Sequence, residues 1–191
     1  MQIEVKFNGH DLSMLSDDGN ATKAVLKRKF WRNHWTLFDN KLGGREATFS
    51  IKTKIPFIIL DYEMSVYYQS EGRIRYLSLR YKEKKPHIVF NHDSAEYLIV
   101  FHRRYRISLF KNGTQFGSIS KKQVTIDSVQ VFNIISENHI DLSFLRLLIC
   151  VVIITLYSGP EEADFSIIVG EHLTTELMPF NPSWAPRAQL S

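Results

Sequence analysis

Hydrophobic residues follow two different patterns along this chain. Before residue 142 they fall in short segments rich in β-branched and aromatic residues, separated by polar turn signals such as Gly43-Gly44 and Asn112-Gly113. The clearest segments are residues 57–68, 74–81, 87–90, 97–101 and 105–110. Short segments of this kind at close spacing predict a meandering antiparallel sheet or barrel.

The second pattern is one long run, Leu142 to Tyr157, which is apolar on every side. The run is about three times as long as a usual strand, so a helix explains it better. Asp141 is a favoured N-cap residue, and Gly159-Pro160 is a typical helix stop. The sequence therefore predicts a helix from 142 to 157.

Two other structures are open to this run. The β-branched residues from Val151 to Ile154 favour a single buried strand. A membrane span is the other alternative, but about 24 Å of helix is short of a hydrocarbon core about 30 Å thick, and Arg146 lies inside the run. Surrounding protein is therefore the expected environment of the helix.

A helix without a polar face has to be enclosed, and a sheet of about ten to twelve strands needs its inner face covered. A closed antiparallel β-barrel of about twelve strands around a central hydrophobic C-terminal helix meets both requirements and leaves no exposed sheet edge. We therefore expect a mainly β protein of this architecture. Its clearest hairpin joins residues 105–111 to 114–119, because Asn112-Gly113 tolerates the positive φ angles of a type I′ turn.

Composition bounds the class of protein. A chain of 191 residues with 44% hydrophobic and 23% charged residues is long enough for one well-filled core. Cys150 is the single cysteine, so the sequence excludes an intramolecular disulfide and a cysteine-based metal cluster. Residues 1–7 alternate as a strand does and lack the apolar stretch of a signal peptide, which predicts an intracellular, cytoplasmic protein.

Several stretches also carry a family resemblance. They are the hairpin RISLFKNGTQFGSISKK, the strand region VTIDSVQVFNII, the helix IDLSFLRLLICVVIITLY and, upstream, WTLFDN followed by REATFSIKTK. In order and spacing they resemble the tubby C-terminal-like superfamily, specifically its small LURP-one-related and bacterial branch. The resemblance covers most of residues 23–157. It implies a barrel of about twelve strands around a central helix, and tubby proteins bind lipids through basic residues.

The chain departs from that family after the helix, where 34 further residues follow. We expect residues 1–159 to form one barrel domain and residues 160–191 to form a C-terminal extension. Within the extension, residues 165–169 favour an added strand and residues 171–178 a short helical turn. Three prolines beyond it exclude a continuous helix, and Trp184 is the expected anchor of the extension.

The sequence offers little on which to build catalysis. It has no phosphate-binding glycine loop and no Gly-x-Ser-x-Gly motif, and its cysteine is expected to be buried. The best metal candidates are His87, His92, Asp93 and His102, but their spacing matches no zinc pattern. We therefore expect a protein that is not an enzyme and that uses no metal or cofactor.

The distribution of charge along the chain gives the main indication of function. Residues 73–122 hold 12 lysines and arginines against 3 acids, whereas residues 123–191 hold 2 against 8. Alternate residues of a strand share a face, so the basic residues form stripes that attract lipid headgroups. The candidate lipid-binding residues are Arg73, Arg75, Arg80, Lys82, Lys84, Arg103, Arg104 and Arg106. The alternative is that they only solvate the outer surface.

The expected function is binding of anionic phospholipid or membrane surfaces by an intracellular β-barrel that associates peripherally with the membrane. The alternative is a protein-interaction or regulatory scaffold that binds a protein partner without binding lipid. A nucleic-acid partner is not expected, because aromatic residues in strands more often pack the sheet than stack on bases.

Overall fold

The computed structural model describes residues 1–8, 11–17, 19, 21–29, 32–39, 44–54, 62–70, 73–82, 87–122, 129–157 and 177–186. For the strands between residues 21 and 82 and for residues 154–157, the structure describes the path of the backbone and not the side chains. Within these residues the protein is mainly β, with antiparallel strands in one sheet and a single helix.

The strands of the described residues are β1 (Gln2–Phe7), β2 (Asp11–Ser16), β3 (Ala21–Lys29), β4 (Arg32–Asp39), β5 (Gly44–Lys54), β6 (Tyr62–Ser70), β7 (Arg73–Lys82), β8 (His87–His92), β9 (Ala95–His102), β10 (Arg106–Lys111), β11 (Thr114–Lys121) and β12 (Gln130–Ser136). The helix is α1 (Leu142–Tyr157). Its bounds are those that the sequence predicts.

The seven strands whose side chains are described form a continuous antiparallel sheet. Their order is β2–β1–β12–β11–β10–β9–β8. At the two edges of this group β2 pairs with β3 and β8 pairs with β7, and β3 to β7 pair with one another in chain order.

One face of this sheet and the helix form a common hydrophobic core. In β1 the residues Ile3, Val5 and Phe7 are buried, and the polar residues between them are not, because successive side chains of a strand point to opposite faces. Residues 144–153 of α1 are all buried, and Arg146 among them is only 3% exposed. The helix therefore has no exposed face between residues 144 and 153, as its sequence predicts.

The predicted hairpin at Asn112-Gly113 is confirmed. Asn112 has φ of 48° and Gly113 has φ of 76°, which is the left-handed backbone of a type I′ turn. Strands β10 and β11 pair on either side of it from Lys111 opposite Thr114 to Arg106 opposite Ser120. The Asn112 side chain also accepts a hydrogen bond from the Glu96 backbone N at 2.9 Å, which ties this turn to β9.

The predicted helix stop at Gly159-Pro160 and the predicted added strand at residues 165–169 lie outside the described residues. Of the predicted helical turn at 171–178, only Leu177 and Met178 are described, and both lie in a bend. Within the described part of the chain, no helix combines the length and the apolar character needed to cross a membrane.

Candidate functional site: the basic end of the sheet

One end of the sheet carries a group of positive charges, and we call it the basic end. Neighbouring strands run in opposite directions, so the turn between β9 and β10 lies at the same end as the last residues of β1 and β11. Among the residues with described side chains, the basic ones there are Lys6, Arg103, Arg104, Arg106, Lys121 and Lys122. Arg103 and Arg104 form the tip of the β9–β10 turn, and both are exposed.

Among the residues with described side chains, the opposite end of the sheet, where α1 begins, carries mainly acids, and we call it the acidic end. These acids are Asp17, Asp93, Glu96, Glu137 and Asp141. Among the residues with described side chains, the positive groups at this end are Lys111 and the ammonium group of Met1, which donates hydrogen bonds to Ser136 O and Asn138 Oδ1. The backbone of β5 and β7 also places Arg45, Arg73 and Arg75 toward this end. Negative charge near a helix N-terminus is favourable, because it meets the positive end of the helix dipole.

The backbone of the β9–β10 turn adopts an uncommon conformation. Arg104 has φ of 60° and Tyr105 has φ of 54°, both in the left-handed region that residues with a Cβ seldom adopt. The Tyr105 ring receives Lys121 Nζ 4.4 Å from its centroid, and the Tyr105 carbonyl accepts a hydrogen bond from the Lys121 backbone N. Burial lowers the pKa of Lys121. The turn is thus held against β11, with Arg103 and Arg104 at its tip.

Two acids offset part of the positive charge near this end. Glu4 on β1 forms a hydrogen bond with Lys122 Nζ and lies 3.7 Å from Lys6 Nζ. The hydrogen bond from Lys122 is the main cause that lowers the pKa of Glu4, and the charges of Lys122 and Lys6 add to it. Asp11, at the start of β2, is the other acid there with a described side chain. Arg103 and Arg104 of the β9–β10 turn add exposed positive charge to this end.

The strand register divides the eight sequence-predicted lipid-binding residues between the two ends. Arg80 pairs with Val89 and Lys82 pairs with His87, which places these two near the basic end with the turn residues. Arg73 and Arg75 lie at the other end of β7, toward the acidic end. The eight residues therefore do not form one continuous patch, and Lys84 lies outside the described residues.

Arg106 is also at the basic end but is only partly exposed, whereas Arg103 and Arg104 in the turn are exposed. Its guanidinium Cζ lies 4.9 Å from the ring centroid of Phe180, in the segment after the helix. The same ring meets the His102 ring edge to face at 5.3 Å. The described part of the extension therefore packs on the sheet through Phe180, and the anchoring role of Trp184 stays a prediction.

The four metal candidates predicted from sequence do not converge. His87 and His92 lie at opposite ends of β8, and His102 lies at the basic end beneath Phe180. His92 instead stacks on Phe144 at 4.5 Å and lies 3.2 Å from Asp93 Oδ2. Among the described residues there is no group of three or more histidines, cysteines or acids placed to hold a metal ion.

The burial of His102 was not predicted from the sequence, although one signal was present. Leu98 and Val100 are apolar and alternate with the core residues Ile99 and Phe101, so β9 carries apolar residues on both faces. A strand that is apolar on both faces is typically covered on both. This pattern indicates that something packs on the outside of β9.

Comparisons with other proteins add no family to these observations. No protein-family model, no curated protein and no solved structure matches this chain.

Proposed function

We propose that this protein is a non-enzymatic β-barrel module that binds anionic phospholipid surfaces through the basic end. The observation that carries the proposal is the separation of charge along the sheet. Exposed Arg103 and Arg104 lie at one end, and Asp17, Asp93 and Asp141 lie at the other. An anionic surface attracts the first end more strongly than the second, so it favours one orientation of the molecule.

The binding free energy expected from these residues is of the size that a peripheral membrane association needs. Each basic residue held near an anionic membrane surface contributes about 1 kcal/mol, and this contribution falls off within a Debye length. Arg103 and Arg104 are at the tip of a turn, where both side chains can approach headgroups without displacing a strand. Lys121, held over the Tyr105 ring, adds charge directly behind them.

The proposal includes the architecture. We propose that the twelve strands close into one barrel around α1, and that the protein is related to the tubby C-terminal-like superfamily. Support comes from the strand order, in which β1 pairs with both β2 and β12. It also comes from α1, which is buried on every side over residues 144–153.

Sedimentation with vesicles tests the function. Wild-type protein is mixed with phosphatidylcholine vesicles that contain or lack phosphatidylserine. We expect sedimentation only with the anionic vesicles, and we expect it to weaken as salt rises, because the Debye length falls from about 10 Å at 0.1 M to about 3 Å at 1 M.

A pair of charge-reversed variants locates the surface. Arg103→Glu with Arg104→Glu should abolish binding, whereas Arg73→Glu with Arg75→Glu makes the same change of charge at the acidic end and should leave most binding in place. The opposite ranking would overturn the assignment to the basic end. If wild-type protein does not sediment with anionic vesicles, the alternative function, a protein-interaction scaffold, is favoured.

A further inference from the structure

The outer face of β9 and β10 near the basic end is covered. Ile99 and Phe101 of β9 belong to the hydrophobic core, so Val100 and His102 lie on the opposite face by alternation. Val100 is nevertheless 0% exposed and His102 only 1% exposed. Ser108 of β10, on the same outer face, is also 1% exposed, and its Oγ lies 3.0 Å from His102 Nε2.

Phe180 is the residue that connects the extension to this outer face. His102 and Arg106 are directly opposite each other in the β9–β10 register. The Phe180 ring contacts both, with its centroid 5.3 Å from the His102 ring and 4.9 Å from Arg106 Cζ. The guanidinium of Arg106 therefore lies over an aromatic face, a favourable position for a cation.

The segment around Phe180 has a defined shape. Pro179 and Pro182 restrict the backbone on both sides of it. Asn181 Oδ1 accepts hydrogen bonds from the Ser183 backbone N at 3.1 Å and from Ser183 Oγ at 2.8 Å, which forms a local turn. Asn181, Pro182 and Ser183 are exposed, so one aromatic side chain with exposed neighbours holds this part of the segment on the sheet.

We propose that residues 177–186 are an intramolecular latch that controls how much positive charge the basic end presents. This inference rests on the lipid-binding function proposed above. With Phe180 in place, Arg106 is engaged by the ring and only Arg103 and Arg104 of this turn region face outward. When Phe180 leaves, Arg106 joins them, and the affinity for an anionic surface rises.

Vesicle binding measures the effect of the latch. We expect Phe180→Ala to bind phosphatidylserine-containing vesicles about fivefold more tightly than wild type, since one additional basic residue near the surface contributes about 1 kcal/mol. The gain should vanish in an Arg106→Gln background. It should persist in a Lys111→Gln background, because Lys111 is also a cation near an aromatic ring, Tyr97 at 5.9 Å, but lies at the other end of β10.

Two further variants separate the loss of the ring from a loss of folding. Phe180→Tyr keeps the aromatic face and should bind vesicles as wild type does. Phe180→Leu keeps most of the apolar volume but has no ring, so it should show a smaller gain in the same direction. An equal gain in the Arg106→Gln background would overturn the latch, because the added affinity would then not come from Arg106.

A measurement without lipid tests the latch independently of the lipid-binding function. Phenylglyoxal modifies accessible arginines, and peptide mass spectrometry reports each site. Arg106 should react more slowly than Arg103 and Arg104 in wild type and should approach them in Phe180→Ala. Unchanged protection of Arg106 would overturn the latch even if vesicles bind. If wild-type protein binds no anionic vesicles, the lipid-binding function is overturned. The regulatory role of the latch is then overturned too, even if Arg106 is protected from phenylglyoxal.

Discussion

Asp141 Oδ1 accepts a hydrogen bond from the backbone N of Phe144 at 2.6 Å. Phe144 is the third residue of α1, so Asp141 is the N-cap of the helix, and its own carbonyl accepts the first helical bond from Leu145 N at 2.9 Å. The Phe144 ring in turn stacks on His92 and lies 5.1 Å from Tyr97. The point at which the helix starts is therefore fixed both by its backbone cap and by aromatic packing on the sheet.

We expect Asp141→Ala to lower the free energy of unfolding by about 1 kcal/mol, within a range of about 0.5–2, because it leaves a helix N–H without its cap. Asp141→Ser is the matched control, since a serine hydroxyl can accept the same bond. Urea unfolding followed by circular dichroism measures both. Equal destabilisation by the two variants would show that the cap is not the source of the effect.

Because α1 is enclosed, truncating a buried side chain should lower the stability of the protein on more than one side of the helix. Leu148 and Ile149 are consecutive and both buried, and they point about 100° apart. We expect Leu148→Ala and Ile149→Ala each to cost about 2–5 kcal/mol, through lost burial and the cavity that remains.

Leu15→Ala is the control for those two variants, because Leu15 is 54% exposed and its truncation should change stability by less than about 0.5 kcal/mol. Thermal or urea unfolding of the three variants gives the comparison. If either helix variant behaves like Leu15→Ala, that side of α1 is not enclosed.

The hairpin at Asn112-Gly113 gives a test of backbone conformation alone. A Cβ built on Gly113 meets no atom within 4 Å, so the cost of Gly113→Ala comes from its φ of 76° and not from crowding. We expect about 1–2 kcal/mol of destabilisation. Gly113→Asn should cost less, because asparagine tolerates the left-handed region, and an equal cost for both variants in urea unfolding would contradict this explanation.

These features could be predicted from the sequence because their signals are local. The helix bounds follow from an unbroken apolar run with Asp141 before it, and the hairpin follows from one dipeptide between two strand-like segments. The enclosure of the helix follows in one further step, because a helix without a polar face has to pack on all sides. Each of these arguments needs only neighbouring residues.

The candidate site was harder to predict because it depends on register and on packing between distant residues. Arg75 and Arg104 both lie in runs of basic residues in the sequence, but the pairing of β7 with β8 places Arg75 toward the acidic end. Phe180 and Trp184 are both aromatic residues among prolines, and only the position of the segment against Arg106 distinguishes them. No local signal encodes either relationship.

The packing of the extension leads to a stability prediction. Phe180 contacts His102 and Arg106 on the sheet, so we expect Phe180→Ala to cost about 1 kcal/mol through lost apolar burial and the lost cation–π contact. Trp184→Ala should cost less, although tryptophan is the larger residue. Differential scanning calorimetry of the two variants decides between them, and a larger effect of Trp184→Ala would identify tryptophan as the anchor, as the sequence predicts.

The ion pair between Glu4 and Lys122 predicts a pH dependence of stability. The Lys122 hydrogen bond lowers the pKa of Glu4 below its ordinary value of 4.5 in the folded protein. A depressed pKa means that the folded state favours the carboxylate, so the pair stabilises the protein above pH 4.5. This stabilisation is lost as the pH falls through the folded-state pKa.

Because Glu4 and Lys122 are partly exposed, we expect the contribution of the pair at neutral pH to be at most about 1 kcal/mol. Urea unfolding of wild type and Lys122→Gln should therefore differ at pH 7 and converge as the pH falls below the lowered pKa of folded Glu4, where this carboxyl is protonated in both states. Lys6→Gln is the matched control and should show a smaller difference, because Lys6 contributes less to the lowered pKa. A difference between wild type and Lys122→Gln that stays constant as the pH falls from 7 through the pKa of folded Glu4 would mean that Lys122 stabilises the fold by a route other than Glu4.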